Sequence, residues 1–496
     1  MPGPEHFRAL FDPRGVVVAG ASTHPGKFGF VALHNILANG YAGEVFATNR
    51  EGADVLGRPT LASIDEVPDG AADLVFVCTP APANPGLLRQ AAAKGLKAAF
   101  IASAGYGEAG EEGRRLQDEL VELADELDLL VVGPNGQGLV STPASLCAQI
   151  VAPYPPRGHI GVASQSGNLV SSFMNLARQA GVGVSRALSV GNAAQVGVLD
   201  ALEHFADDPE TTVGLIYVEG IPDGRRFYER LSAVTARMPV VVLKGGATSS
   251  GARAAASHTG SLATDDKVFD GMCRQAGAVR AANVLEAFEA AATMATQPPP
   301  PGPRVAVVTT VGGWGVLTAD ALSGTALELL GLPDDLRSSL DDLLPPRWSR
   351  NNPIDLAGGE TKDTVPAVMD AVVGHPEVDA VIMLGVGIQA NQGRLEREGP
   401  FFPDHGLERI VGFHDRQDRR YVTVAAELSE RHAKPVLVAT ELAVGDPENA
   451  AVAAVREAGR YCFPSADRAV VALDHAWRHG RWRQRRGLPP GGAASS

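Results

Sequence analysis

Short apolar runs alternate with longer amphipathic stretches along almost the whole chain, the pattern of parallel sheets wrapped by helices. Gly15-Val-Val-Val-Ala-Gly20 predicts a first strand and Glu44-Val-Phe-Ala-Thr48 a second. Asp73–Cys78, Ala98–Ala102 and Leu129–Gly133 predict three more. Between them Glu111–Glu126, with apolar residues three and four apart among Glu and Arg, predicts an exposed helix.

Pro153, Pro155 and Pro156 mark a first linker, after which His159-Ile-Gly-Val-Ala-Ser164 opens a second unit. The run Pro298-Pro-Pro-Pro-Gly-Pro303 supports neither helix nor sheet and sets the sharpest boundary. Arg304-Val-Ala-Val-Val-Thr309 then opens a third unit. The reading is an α/β chain of three tandem domains, 1–152, 157–297 and 303–480, with a disordered tail at 481–496.

Composition narrows the function classes. The 496 residues, with a formal net charge of −14, disfavour non-specific binding to nucleic acid or to an anionic membrane surface. Cys78, Cys147, Cys273 and Cys462 form no CxxC pair, so neither a zinc site nor a disulfide framework is expected, and the cytoplasm is the expected compartment. The opening Met1-Pro-Gly-Pro-Glu-His-Phe-Arg8 does not read as a signal peptide, and no apolar run approaches the ~20 residues of a membrane span.

The chemistry gathers after the predicted strands, where open α/β sheets keep their sites. Gly20-Ala-Ser22-Thr-His-Pro-Gly26-Lys27-Phe-Gly29 is a loop entering a helix, with a spacing unlike G-x-G-x-x-G. An NAD fold places a carboxylate near the end of the second strand. Here Thr48-Asn49-Arg50 stands there, and Lys27 with Arg50 suits a phosphorylated ribose and a pyrophosphate, as in CoA or NADP. Thr79 and Ser103, each just past a strand, complete the rim of that cleft.

Ser164-Gln165-Ser166-Gly167 ends a strand and starts a helix whose free amides suit an anion. Thr309-Thr-Val-Gly312-Gly313-Trp-Gly315 repeats the arrangement, and the pair suggests helix ends converging on one phosphoryl group. His258 lies in Gly251-Ala-Arg-Ala-Ala-Ala-Ser-His-Thr-Gly-Ser-Leu-Ala263, a stretch almost without side chains large enough to pack. Such a residue suits a nucleophile that carries a phosphoryl group to more than one partner. Glu219, at the end of the apolar run Leu215–Val218, is placed to accept a hydrogen bond from one imidazole nitrogen and leave the other free to attack. The remaining histidines, His204 and His432 among them, read as surface or satisfied residues, and no metal site is expected.

Taken in order, Gly20-Ala-Ser…Pro-Gly-Lys27, Gly133-Pro-Asn135, Ser164–Gly167, Ser189-Val-Gly-Asn192, Val218–Arg225, Ser257-His-Thr-Gly-Ser-Leu262 and Asn352-Pro-Ile-Asp-Leu356 resemble the α-subunit of NDP-forming acyl-CoA synthetases, relatives of succinyl-CoA synthetase. The resemblance spans residues 7 to 475 and is strongest at the His-Thr-Gly-Ser-Leu loop. It implies a Rossmann-like CoA-binding domain followed by two flavodoxin-like domains of the succinyl-CoA synthetase type. It also implies a reversible reaction of carboxylate, CoA and nucleoside triphosphate to acyl-CoA, nucleoside diphosphate and phosphate, through an acyl phosphate and a phosphohistidine.

By the same resemblance His258 is the phosphorylated residue and Glu219 its orienting carboxylate. Ser164, Gln165, Ser166, Gly167, Gly312, Gly313 and Gly315 cradle the phosphoryl group. Gly20, Ser22, Lys27, Asn49 and Thr79 lie along the CoA, and Arg50, Ser103 and Asn135 are further candidates for the same cleft. ADP/ATP or GDP/GTP, with Mg²⁺, is expected to come through a separate ATP-grasp β-subunit in a heterotetramer, the other ligands being a small carboxylic acid and phosphate. Three places depart from the family pattern: Gly136 where cysteine is usual, Ala193 and Gln195 where an acidic pair is common, and Val311 with Trp314 in the third-domain loop. A non-catalytic CoA-binding scaffold and an NADP-dependent dehydrogenase are the competing readings.

Overall fold

The computed structural model describes residues 3–151, 153–248, 250–251, 265–356, 358–359, 361 and 363–489. It divides into two compact units, one holding the chain to Ala287 apart from residues 180–182, the other running from Phe288 onward.

The first unit contains two sheets. In one, β1 (Gly15–Ala19), β2 (Glu44–Thr48), β3 (Leu74–Val77), β4 (Ala98–Ile101) and β5 (Leu130–Val132) are all parallel, in the order β2-β1-β3-β4-β5. β1, β3, β4 and β5 are buried at every residue, because helices cover both faces. The order reverses between β1 and β3, which opens a crevice beyond their carboxyl ends.

The second sheet contains β6 (Gly138–Ser141), β7 (Leu146–Gln149), β8 (Arg157–Ser164), β9 (Val184–Ser189), β10 (Val213–Val218), β11 (Val240–Lys244) and β12 (Val279–Ala281). Its parallel part, β9-β8-β10-β11-β12, repeats the first sheet's order, so its crevice lies between β8 and β10. The β6–β7 hairpin, which the sequence reading placed in the first domain, pairs antiparallel with β9 and extends the second sheet. The alternation of apolar residues shows that these are strands, and pairing across sequence decides which sheet they join.

The second unit carries β13 (Arg304–Thr309), β14 (Glu328–Leu329), β15 (Ile354–Asp355), β16 (Ala380–Leu384), β17 (Val436–Ala439) and β18 (Cys462–Phe463), in the order β14-β13-β16-β17-β18. β14 pairs with the start of β13 and β15 with its end. Asn352 fills the gap between them: its Oδ1 accepts from Val307 N at 2.9 Å and its Nδ2 donates to Val305 O and Leu330 O at 2.8 and 2.9 Å. A third crevice lies between β13 and β16.

From Phe288 onward the helix Val284–Thr296 lies in this unit, where Phe288 packs edge-on against Tyr461 and Glu289 pairs with Arg468 at 2.6 Å. The last helix, Ala466–Arg485, runs past residue 480 into the expected tail, where buried Arg483 donates through Nε to Pro489 O at 2.7 Å. Among the described residues no helix is long and apolar enough to cross a membrane.

Candidate active site

At the first crevice the chain turns sharply after β1. Gly20 takes φ +84°, and a Cβ there would meet Thr79 Cγ2 at 2.9 Å. The following helix, Phe28–Ala38, starts so close to this turn that a Cβ on Gly29 would lie 2.1 Å from Gly20 O. Asn49 holds the turn from β2 by donating through Nδ2 to Ala21 O at 2.8 Å, while its Oδ1 accepts from Glu51 N. Ser22 Oγ accepts from His24 N at 3.1 Å, and Lys27 and Arg50 are exposed beside the turn. Two cations and a close-approaching backbone thus flank the reversal of strand order.

The opposite rim is organised by Asn84, which the sequence reading did not single out. Fully buried in the first turn of the helix Asn84–Ala93, it accepts from Thr79 Oγ1 at 2.8 Å. Its Nδ2 donates to Ser103 Oγ at 3.0 Å and to Tyr106 Oη at 2.8 Å. Thr79 and Ser103, named separately from two strand ends, therefore belong to one network. Burial pushes the Tyr106 hydroxyl upward, so it stays protonated there.

Asn135 links the two sheets of this unit. Its amide donates to Ser103 O at 3.0 Å, and its Nδ2 donates to Asn192 Oδ1 at 3.3 Å. Asn192 in turn donates through Nδ2 to Glu108 Oε2 at 2.5 Å and Gln117 Oε1 at 3.0 Å. Burial alone raises Glu108, but the Asn192 amide and the backbone amides of Gly105 and Tyr106 outweigh it and hold the carboxyl below its ordinary range.

Two of the family departures find a local cause. A Cβ on Gly136 would lie 2.6 Å from Phe100 Cζ and 3.0 Å from Ser189 O, which leaves no room for a side chain. Gln195 accepts from Val131 N at 2.7 Å and donates to Asp125 Oδ1 at 2.8 Å, fastening its loop to the end of the first sheet.

The second crevice shows how the Ser164–Gly167 turn is built. Ser164 Oγ donates to Ser166 O at 2.7 Å and accepts from Ser166 N at 3.1 Å, and the helix Gly167–Ala180 begins at the next residue. Gln165 reaches across to the end of β10, where its Oε1 accepts from the amides of Glu219 and Gly220 at 2.5 and 3.2 Å. The side chain of Ser164 is thus engaged within the turn and that of Gln165 with the end of β10. The groups left for an anion are the first-turn amides of the helix, which have no acceptor within it.

The third crevice repeats this construction. Thr309 Oγ1 donates to Val311 O at 2.8 Å and accepts from Val311 N at 2.9 Å, and the helix Gly312–Ser323 follows. Thr310 takes the place of Gln165 and donates through Oγ1 to Gly385 O at 2.9 Å, just past β16. Gly312 and Gly313 are exposed, with nothing within 4 Å of a Cβ on Gly313. Gly315, grouped with them in the sequence reading, is buried instead, and a Cβ there would lie 3.0 Å from Pro353 Cβ.

Glu219 is half-buried at the end of β10, beside Tyr217 and the chain leaving β11. Burial first, and then the charge and hydrogen bond of Glu219, push the Tyr217 hydroxyl well above its ordinary range. A Cβ on Gly245 would approach Tyr217 Oη at 2.4 Å and Glu219 Cγ at 3.3 Å. His258 lies outside the described residues. Before that stretch, Lys244 is buried at the end of β11 and donates to Gly245 O and Gly246 O, each at 3.2 Å. After it, Asp266 lies 3.7 Å from Lys244 Nζ and 2.6 Å from Arg280.

Comparison with known proteins bears directly on this arrangement. Residues 14–142 match the CoA binding domain family, 157–294 the succinyl-CoA ligase like flavodoxin domain and 305–387 the ligase-CoA domain. The acetate–CoA ligase [ADP-forming] I subunit alpha of Pyrococcus furiosus is 34% identical over 482 residues, covering 96% of this chain and 98% of that protein. The chain belongs to the ADP-forming acyl-CoA synthetase α-subunit family. That family lies in the succinyl-CoA ligase superfamily, and the chain is an acid–CoA ligase α-subunit of the NDP-forming type.

A second Pyrococcus furiosus protein, acetate–CoA ligase [ADP-forming] II subunit alpha, is 37% identical over 377 residues, 76% of this chain and 82% of that protein. The fold of acetyl-coenzyme A synthetase 1 from Ca. Korarchaeum cryptofilum, solved with phosphate and ADP, superposes with a TM-score of 0.82 at 30% identity. It covers 97% of this chain and 99% of that one. The expected α/β fold of three parallel-sheet domains, the first a CoA-binding domain, is thereby established.

Proposed function

We propose that the chain converts a carboxylic acid and CoA into acyl-CoA, reversibly, by passing a phosphoryl group through His258 to a nucleotide held on a separate ATP-grasp subunit. The observation that carries this reading is the hydroxyl turn, built alike at two crevices, that delivers the amides of a helix start. Each such start suits a phosphoryl oxygen. Glu219 stands at the strand end next to one of them, tied through its amide to Gln165.

In the direction of thioester cleavage, phosphate oxygen attacks the thioester carbonyl, the C–S bond breaks, and CoA leaves as the thiol. An imidazole nitrogen of His258 then attacks the phosphorus of the acyl phosphate. The P–O bond to the acyl group breaks and the carboxylate departs. Glu219 accepts the hydrogen bond of the other ring nitrogen, which fixes the tautomer and stabilises the positive charge that the ring gains. The phosphoryl group finally moves to a nucleoside diphosphate, with Mg²⁺, on the partner. Lys27, Arg50 and the Asn84-organised rim are assigned to CoA.

Two similarities support a separate partner. The Pyrococcus furiosus relatives are named as alpha subunits. The acetate–CoA ligase [ADP-forming] I of Archaeoglobus fulgidus is matched over 76% of this chain but only 54% of its own length. The presence of phosphate and ADP in the Korarchaeum structure supports the nucleotide half of the cycle.

The test is to mix the chain with an ATP-grasp partner, radiolabelled phosphate, an acyl-CoA and ADP or GDP. Labelled nucleoside triphosphate is expected, together with an acid-labile, base-stable label on the chain. The label is expected to vanish in His258→Ala and to form at least tenfold more slowly in Glu219→Gln. A full label on His258→Ala would end the proposal.

A further inference from the structure

The third crevice continues inward as a cavity of ≈ 160 Å³. That is many times the ~10–15 Å³ that a single water needs, so a hydrocarbon group of several carbons fits. Its walls are mainly apolar, Val308, Leu356, Val365, Met383 and Val386 among them, and Ile388 stands half-exposed among its lining residues. Thr309 and Thr310 also line it, three and two residues before Gly312, so one turn borders both the cavity and the helix start.

Asp418 and Tyr421, from the helix Leu407–His432, supply polar groups to the lining. Asp418 is 2% exposed, and its Oδ2 accepts from Ala390 N at 2.7 Å. It thereby occupies the start of the neighbouring helix Ile388–Glu398 with a carboxylate of the protein's own. Burial pushes this carboxyl up to about 6, against the backbone amides of Ala390, Gly387 and Gln389. At neutral pH it is largely ionised, and in a confined apolar space it repels a second carboxylate. The Tyr421 hydroxyl donates to Thr361 O at 3.1 Å.

We propose that this cavity receives the hydrocarbon body of the acid substrate, which is therefore an apolar monocarboxylate, branched aliphatic or aryl, in preference to acetate or a dicarboxylate. The acid's reacting carboxylate stays at the Gly312–Gly313 helix start, and its body passes Thr309 and Thr310 into the cavity. Acetate fills the space with a single methyl group, whereas each additional buried methylene strengthens transition-state binding about 10- to 200-fold. Asp418 sets the charge selectivity, because a distal carboxylate would have to enter beside it.

The proposal rests on the ligase reading above, and its test separates the two. With the full chain and an ATP-grasp partner, kcat/KM is measured for acetate, 3-methylbutanoate, phenylacetate and succinate. Binding of the same acids to the chain is followed by ligand-observed NMR. The expected result is at least a tenfold preference for 3-methylbutanoate or phenylacetate over acetate, with succinate poorest. Val365→Phe, which fills the cavity, should bring the preference over acetate down to about twofold or less, with an unchanged circular-dichroism spectrum. Asp418→Asn should raise succinate relative to 3-methylbutanoate.

Acetate used as well as the larger acids, or a preference that survives Val365→Phe in the folded variant, would overturn the assignment. Binding of the larger acids that is lost in Val365→Phe, without turnover of any acid, would uphold the cavity and count against the ligase reading alone.

Discussion

Replacing Asn84 by alanine removes the group that joins Thr79, Ser103 and Tyr106, and takes this partner from the buried Tyr106 hydroxyl and from two half-buried hydroxyls. The expected cost is about 1–3 kcal/mol, the desolvation penalty of a buried polar group that loses its partner. CoA binding should weaken at the same time, because both assigned rim hydroxyls lose their anchor. Chemical denaturation and calorimetric titration of CoA check the two effects separately. Thr79 and Ser103 were legible in the sequence because both follow apolar strands. Asn84 was not, since an asparagine in the first turn of a helix ordinarily reads as a solvated cap. Gly136 shows the converse: the departure is visible in the sequence, but its reason, the Phe100 ring, appears only in the fold.

At the scale of the element, the turn after β8 and the turn after β13 share one design. A hydroxyl closes on the residue two places on, the intervening side chain reaches to the neighbouring strand end, and glycine opens the helix. Ser164→Ala and Thr309→Ala each delete the closing hydroxyl and should each destabilise the protein by about 1 kcal/mol. Each should also slow phosphoryl transfer, because the amides lose their fixed aim. Phosphohistidine formation in single-turnover mixing is the measurement, and unchanged rates in both variants would contradict the role given to these turns. The sequence displays the repeat openly as Ser-Gln-Ser-Gly and Thr-Thr-Val-Gly. It conceals that the side chains of Ser164 and Gln165 are taken up by the turn itself and by the end of β10, since spacing along the chain carries no information on rotamer.

For the molecule as a whole, the apolar periodicity announced three sheets, and each contains a parallel run whose order reverses at its first strand, with a crevice at the reversal. What periodicity does not carry is long-range partnership. Within the first unit, buried Arg186 on β9 bonds Asp208 at 2.9 Å and Asp12 at 2.8 Å, and contacts Ser141 on β6. Arg186→Met leaves the buried Asp208 carboxylate uncompensated and should cost about 3–5 kcal/mol by chemical denaturation.

Acid should expose the same link. Burial alone would raise Asp208, but the hydrogen bond and charge of Arg186 outweigh it and hold its folded value below the ordinary range. A depressed carboxyl contributes stability that is complete above the unfolded pKa of about 3.9 and is lost as pH falls through the folded value. The wild type should therefore lose stability below about pH 4 more steeply than Arg186→Met, as denaturation midpoints across pH 2–6 would report.

The β6–β7 hairpin also bears on how such a chain can be taken apart. A break at the prolines 153, 155 and 156, where the sequence invites one, would strand the last two ribbons of the second sheet on the wrong fragment. The piece beginning there would carry β9 with a bare flank of amides and carbonyls, a template for sticking to its own copies. Splitting this gene productively calls for a cut before Gly138, so that the hairpin travels with the sheet it completes.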